Sequence, residues 1–524
     1  MNSTHSSRVL SIAGGTLASR LTGLVRVLVL AYVLGFTPLA DAYNLANTIP
    51  NMLFDLVLGG VASATFIPVF VEHLARDGER RAWRSISHVV SAALVVLSVA
   101  SVLAWWGAPL IIDAFTALRH GAPSSMHVQR GVATSLLRWF VPQIFFYGVI
   151  GIATALLNVR QRFAAGAWVP VVNNLVCVAV LVWFHLVDPT PTMAAMGGSR
   201  NLVLLGAGTT AGVAIQFLCL APALARADLW RLSFRLNWRD PAVRTVGRLG
   251  SWTLAVVAAN QASLYVVLAL AFGLGGSGPV SAYTYGWSFM QMPYAVVVVS
   301  VLAALTPQLA GLATAGDLAA LAERLRFGLR QSLVIIVPAT LTLVLLAQPL
   351  VAILLGHVNA SHRLAAGTVL AILAAGLPGF TIFQLGVRGL QSMQHARDVF
   401  VLYALENAAN IALALVIGRH SLAGLTASVA IAYTGAAVLA LAALARRGVR
   451  IAPAVWSVHV RRSLGASLGA AAAIAATYAA SGATRGAGLV ERFAAALLAG
   501  AVVFVVLVAL LERRLARRGQ KVQG

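Results

Sequence analysis

Arg20 and Arg26 lie inside an otherwise apolar stretch, residues 9–36, where a charge is costly unless it faces protein or a water-filled cavity. A guanidinium presents a flat fork of N–H donors that matches a phosphate or pyrophosphate. Two of them at membrane depth therefore point to an anionic substrate. The spacing of six residues turns through about 240° on an ideal helix, so a straight helix aims the pair at different directions. Gly14, Gly15 and Gly23 offer places to bend. Asp41 and Asp55 are the nearest acids, and fourteen residues bring them within about 40° of one helical face, with Pro50 between them. They are candidates to pair with the arginines when no substrate is held, and to line the same site. Glu406 and Asn410, at i and i+4, offer oxygen ligands for Na⁺ or a carboxyl for a proton, with Thr426 and Ser428 as further oxygens. Arg138 and Arg388 lie near the ends of apolar stretches, where the long side chain reaches the interface.

The elements that must hold these groups follow from composition. Of the 524 residues, 60% are hydrophobic and 10% charged, with a mean hydropathy of +0.86. That is a chain for a bilayer. Crossing the hydrocarbon takes roughly 20 apolar residues, and about fourteen stretches qualify: 9–36, 43–74, 85–113, 131–158, 164–187, 202–225, 243–272, 280–312, 328–355, 364–391, 399–418, 421–445, 463–481 and 489–511. Backbone groups in lipid must be satisfied within the segment, and these runs are too long and too evenly apolar for barrel strands, so the fold class is all-α and polytopic. The first segment carries two arginines and no small-residue cleavage site, so it is expected to remain in the protein. Cys177 and Cys219 stand alone in apolar stretches and read as small core residues.

A net charge of +23 would suggest nucleic acid in a soluble protein. Here the basic residues collect in alternate loops. With the amino terminus in the cytoplasm, about 27 fall on that side and about seven on the other. Arg76 to Arg84, Arg226 to Arg248, Arg446 to Arg462 and the tail from Arg513 to Lys521 lead the inner group. Both termini are thus expected in the cytoplasm, and the arginines serve topology and attraction to anionic membrane lipids rather than nucleic acid. No catalytic residue is assigned. External loops are short, with Asp113 and Asp188 their main acids, which argues against a polytopic glycan-polymerising enzyme.

The chain divides into 1–230 (six segments), 231–450 (six more) and 451–524 (a final helix pair with a basic tail). An internal repeat supports the halves. Leu157-Asn158, Gln161 and Asn174 recur 233 residues later as Leu390-Gln391, Gln394 and Asn407. More loosely, Asp41-Ala42-Tyr43 with Pro50 and Pro68 echoes Ala282-Tyr283 with Pro293 and Pro307. Six is even, so the halves would share one orientation around a substrate cavity. Pro50, Pro142, Pro170, Pro293, Pro338 and Pro378 are expected to kink or break their helices.

Together, Ser19-Arg20-Leu21-Thr22-Gly23-Leu24-Val25-Arg26, Asp41-Ala42-Tyr43 and Pro50-Asn51-Met52-Leu53 resemble the amino-terminal signature of the MurJ/MviN lipid II flippase family. Asn158 to Phe163, Pro170, Asn174, Gly212, Gln216, Pro222 and Asn260-Gln261 extend the likeness over about twelve segments. The resemblance implies two six-helix lobes with alternating access, two added carboxy-terminal helices, and Arg20, Arg26 and Asp41 lining a central cavity that binds pyrophosphate and sugar. It implies a bacterial cytoplasmic-membrane transporter of lipid II, acting beside the cell-wall synthesis machinery. The alternative is a flippase for another polyprenyl-linked oligosaccharide. No cofactor is expected beyond a coupling Na⁺ or H⁺, or the membrane potential. This chain departs from the pattern at Phe54-Asp55, where many members carry a basic pair, and at Ser288, where an arginine is common. Glu406 and Asn410 are similar to part of a sodium site, although the seventh segment here lacks an acid in its apolar core.

Overall fold

A computed structural model describes residues 2–59, 78–118, 123–160, 162–193, 196, 200–227, 233–275, 278–355, 358–480 and 487–523. Its regular structure among these is helical: α1 (Asn2–Leu34), α2 (Pro38–Phe54), α3 (Gly78–Trp106), α4 (Ala108–Thr116), α5 (Pro123–Phe140), α6 (Pro142–Val159), α7 (Phe163–Val187), α8 (Arg200–Leu218), α9 (Ala221–Ala225), α10 (Pro241–Gly273), α11 (Pro279–Pro293), α12 (Val299–Thr314), α13 (Leu318–Leu354), α14 (Ala360–Ala375), α15 (Leu377–Ser392), α16 (Ala396–Val416), α17 (Leu422–Arg446), α18 (Val458–Ala480) and α19 (Ala487–Gln523). Short π-helical turns follow α2 and α11 at Asp55–Gly59 and Tyr294–Val298.

Local chemistry explains the boundaries. Gly35 adopts φ +62° just beyond α1, a left-handed stop that a side chain would disfavour. Thr37 caps α2 by accepting from the Ala40 amide at 3.1 Å, with Pro38 in the first turn. Asp317 and Ser421 cap α13 and α17 in the same way.

Among the described residues, twelve helical segments are long and apolar enough to span a bilayer, thirteen with the bent pair α14–α15. The chain is a multi-pass, all-α membrane protein. The expected second span, 43–74, is described as far as Gly59; Gly60, Pro68 and Arg76 lie outside the described residues, as do Gln161 and Arg231. Three spans read as continuous are interrupted. The 131–158 span is interrupted at the single residue Val141, just before Pro142, although Met126–Val159 still runs as one crossing, and 364–391 bends by 44° at Gly376, followed by Pro378. The 85–113 span breaks at Gly107, and Pro109 stands in the first turn of the helix that follows. Pro170 and Pro338 sit in helices that continue unbroken. Cys177 is buried as expected, whereas Cys219 is exposed because it lies just past the end of α8.

The described chain forms two compact units, Met1–Ser281 and Ala282–Gly524, so α10 clusters with the helices before it. In the first, α1 packs along α7, α7 on α8, and α2 against α5 and α6. In the second, α13 packs on α14, α15 and α18, while α17 joins α15 and α16.

The repeat is visible at bond level. Arg162 donates its amide to the Leu157 carbonyl at 2.8 Å, and His395 to that of Leu390 at 3.0 Å. Arg160 to Leu156 is likewise matched by Met393 to Gly389. Both bonds recur at the 233-residue offset found in the sequence. The looser echo gains a feature the sequence does not display, because Pro50 and Pro293 both precede a π-helical turn.

Without a hydrophobic drive between helices in lipid, small residues permit close packing. A Cβ on Gly379 would stand 2.8 Å from the Thr434 Cα, and one on Gly386 2.8 Å from the Ala440 Cβ. The α15–α17 contact is therefore backbone against backbone. Gly379→Val should force these helices apart and cost ~1–3 kcal/mol, read as a lowered unfolding temperature in detergent; an unchanged temperature would refute this packing account.

Candidate functional site

Arg26 projects from α1 into the first unit, half-buried, with the Tyr43 side chain on α2 within its reach. Tyr43 is fully buried, its hydroxyl 3.0 Å from that of Thr209 on α8. Thr209 already donates to the Leu205 carbonyl at 2.7 Å. The direction of the chain follows: Thr209 donates to the backbone and Tyr43 to Thr209, which leaves the lone pairs of the Tyr43 oxygen facing the Arg26 guanidinium. A second chain runs beside it. Asn51 bonds Tyr147, which donates to Gln143 at 3.2 Å. Gln143 donates to Thr210 at 3.0 Å, and Thr210 to the Trp139 carbonyl at 2.7 Å. Tyr147 and Cys177 also lie within electrostatic reach of Arg26. Four helices thus hold one guanidinium in a polar but uncharged setting.

The acids nominated as partners are engaged elsewhere. Asp41 is buried, and its carboxylate accepts from the Gly278 amide at 3.1 Å, the Ser281 amide at 2.8 Å and the Ser281 hydroxyl at 2.7 Å. These groups form the first turn of α11, within the first unit. Gly278 has φ +88°, and a Cβ there would meet Phe36 at 2.4 Å, so the capping position must be glycine and has no oxygen of its own. Asp41 supplies that oxygen from another helix, and its charge suits the amino-terminal end of the dipole. Asp55, in the π-helical turn, accepts from Gln261 of α10 at 3.1 Å. Among the described residues, no carboxylate lies at ion-pair distance from Arg20 or Arg26.

Arg20 is exposed. Since α1 is one continuous α-helix with no break at its glycines, Arg20 and Arg26 point about 120° apart. Asn174 of α7 pins the intervening turn through bonds to the Ser19 carbonyl and Thr22 hydroxyl, both 3.1 Å. Arg138 is exposed and stacks over Trp105 at 5.2 Å. Arg388 lies near Tyr403 in the second unit. Tyr147, Thr209 and Gln143 escaped the sequence reading, having no charge to mark them. Tyr43 stood within the quoted motif without a role. Tyr43→Phe should leave the fold intact, remove the oxygen that faces Arg26 and lower transport several-fold, measured as initial rate in vesicles; an unaltered rate would show that this oxygen does not position the guanidinium.

In the second unit, Glu406 and Asn410 share a buried face of α16, as their spacing predicts. Glu406 Oε2 is buried without a hydrogen-bond partner among the described residues. Tyr283, Tyr403 and Tyr433 lie within its electrostatic reach. Asn410 Oδ1 accepts from Ser428 at 2.9 Å, whereas Thr426 turns to its own helix at the Leu422 carbonyl. An orphaned buried carboxyl oxygen fits a proton or a small cation. Among the described residues, no cluster of three His, Cys, Asp or Glu suggests a transition-metal site.

The family model for the lipid II flippase MurJ matches residues 30–511. The chain belongs to the MurJ family. The lipid II flippase MurJ of Burkholderia cenocepacia is 29% identical over 84% of each chain. A probable lipid II flippase MurJ of Rhizobium meliloti is 26% identical over 77% of this chain and 74% of its own. A solved lipid II flippase MurJ in an inward closed conformation superposes with a TM-score of 0.77 at 18% identity, over 96% of this chain and 99% of that one. An inward-facing multidrug transporter of the MATE family reaches 0.67 at 12% identity, over 83% and 96%. The wider similarity is one of fold.

Proposed function

We propose that this chain moves lipid II, an undecaprenyl-pyrophosphate-linked disaccharide-pentapeptide, from the inner to the outer leaflet of the bacterial cytoplasmic membrane. It is a transporter rather than an enzyme. The observation that carries the substrate reading is Arg26: a guanidinium held by uncharged groups, with no carboxylate at ion-pair distance among the described residues. A fixed cation of this kind is completed by an anionic ligand. Arg26 binds the pyrophosphate in this reading, and Arg20, exposed about 9 Å further along the helix axis, meets it before or after. Asp41 acts through the first turn of α11 and Asp55 through Gln261. Lobes 1–230 and 231–450 rock around the bound headgroup, and 451–524 supplies the additional helix pair. Both termini lie in the cytoplasm, and the flipped precursor is handed to the cell-wall synthesis machinery.

Depletion of the chain should remove externally exposed lipid II and raise its cytoplasmic pool, as read by a periplasmic probe that cleaves only flipped precursor. Unchanged exposure in a strain without a second flippase would move the substrate to another polyprenyl-linked oligosaccharide.

Glu406 and Asn410 are the residues that would hold a coupling H⁺ or Na⁺; such an ion supplies charge movement in the membrane potential, worth ~2.3 kcal/mol per charge per 100 mV. Glu406→Gln should make the flipping rate indifferent to imposed proton and sodium gradients. A gradient response equal to wild type would remove Glu406 from coupling.

A further inference from the structure

A cavity of about 490 Å³ opens between α16 and α17 at the end where α16 starts and α17 stops. Its two halves differ in chemistry. Arg397, Arg446 and Arg447 ring the mouth with Asp398, while Val401, Leu405, Leu439 and Ala443 line the shaft. Asp398 is already engaged, at 2.9 Å from Nη2 and 3.0 Å from Nε of Arg447. Arg397 and Arg446 are exposed and bring net positive charge. The shaft residues Val401, Leu405 and Leu439 are 43%, 49% and 42% exposed, one apolar stripe on each helix.

We infer that this cavity is a binding site for an anionic phospholipid. Its phosphodiester sits between Arg397 and Arg446, and an acyl chain lies along Val401, Leu405 and Leu439. The pairing of charged mouth and apolar shaft selects the occupant. A soluble phosphate would leave the shaft wet, and a zwitterionic lipid would bring its own cation to the two guanidinium groups. A basic cleft between membrane helices at a charged interface is suited to such headgroups, and a guanidinium fork matches the phosphate oxygens. The site lies outside the Arg26 constellation and does not depend on the transported substrate.

Purified full-length chain in detergent tests this. Added phosphatidylglycerol should raise the unfolding temperature by several degrees more than equal phosphatidylcholine, and native mass spectra should show phosphatidylglycerol retained on the chain. Arg397→Gln with Arg446→Gln should abolish most of that preference and retain one lipid fewer, while unfolding like wild type in phosphatidylcholine. Ala443→Phe, which fills the shaft and keeps every charge, should do the same. Equal stabilisation of wild type by both lipids, or an undiminished preference in both variants, would overturn the assignment. So would sn-glycerol phosphate protecting as well as the lipid.

Discussion

Arg26→Gln should slow lipid II flipping at least about a hundredfold in reconstituted vesicles, equivalent to about 2.7 kcal/mol, with little change in unfolding temperature. The size follows from the setting. Among the described residues the guanidinium has only the uncharged Tyr43, Tyr147 and Cys177 as electrostatic neighbours, so a pyrophosphate meeting the variant would lose its water for no compensating charge. Stability should be spared because α1 is fastened by its neighbours, through Asn174 to Ser19 and Thr22 and through Trp168 to Ser11. Arg26→Lys restores charge without the two-pronged geometry, and should recover activity only in part. Arg20→Gln should cost less, since that side chain is exposed and water still reaches whatever it binds. Wild-type flipping by Arg26→Gln would end the pyrophosphate role.

Much of this arrangement was written in residue types. A charge inside an apolar run announces itself, which is why Arg26 and Glu406 could be found and why both occupy half-buried or buried positions. The length of the apolar runs marked the spans, because lipid leaves the backbone few other options. The partners were hidden. Tyr43 and Thr209 are 166 residues apart, and only the packing of α2 against its neighbours joins them. Polar uncharged residues are common in membrane helices, so their types carry little signal until the fold brings them together. Helix breaks are marked in residue types too: Pro142, Pro378 and, just after Gly107, Pro109 each stand in the first turn of the helix that follows the break. The acids were the instructive case. Sequence proximity pairs Asp41 and Asp55 with the arginines, yet backbone amides 237 and 240 residues away take Asp41 and Gln261 takes Asp55.

Asp41→Ala should destabilise the protein by roughly 3–5 kcal/mol and expose the amides of Gly278 and Ser281 to hydrogen exchange. Three donors converge on the carboxylate, and at 1% exposure water does not replace it. The capping position cannot compensate, since Gly278 has no side chain and Phe36 leaves no room for one. Asp41→Asn keeps one acceptor oxygen but turns an NH₂ group toward a donor and forfeits the interaction with the helix dipole, so it should fall between wild type and alanine. Ser281→Ala removes a donor and leaves both amide bonds in place, so its cost should be near 1 kcal/mol. An unfolding temperature that rises from Asp41→Ala through Asp41→Asn and Ser281→Ala to wild type is specific to a capping carboxylate. A residue that only met the substrate would give near-wild-type stability for all three variants, with slow exchange at residues 278–281. That result would return Asp41 to the transport site, where its place in the Asp41-Ala42-Tyr43 motif first put it.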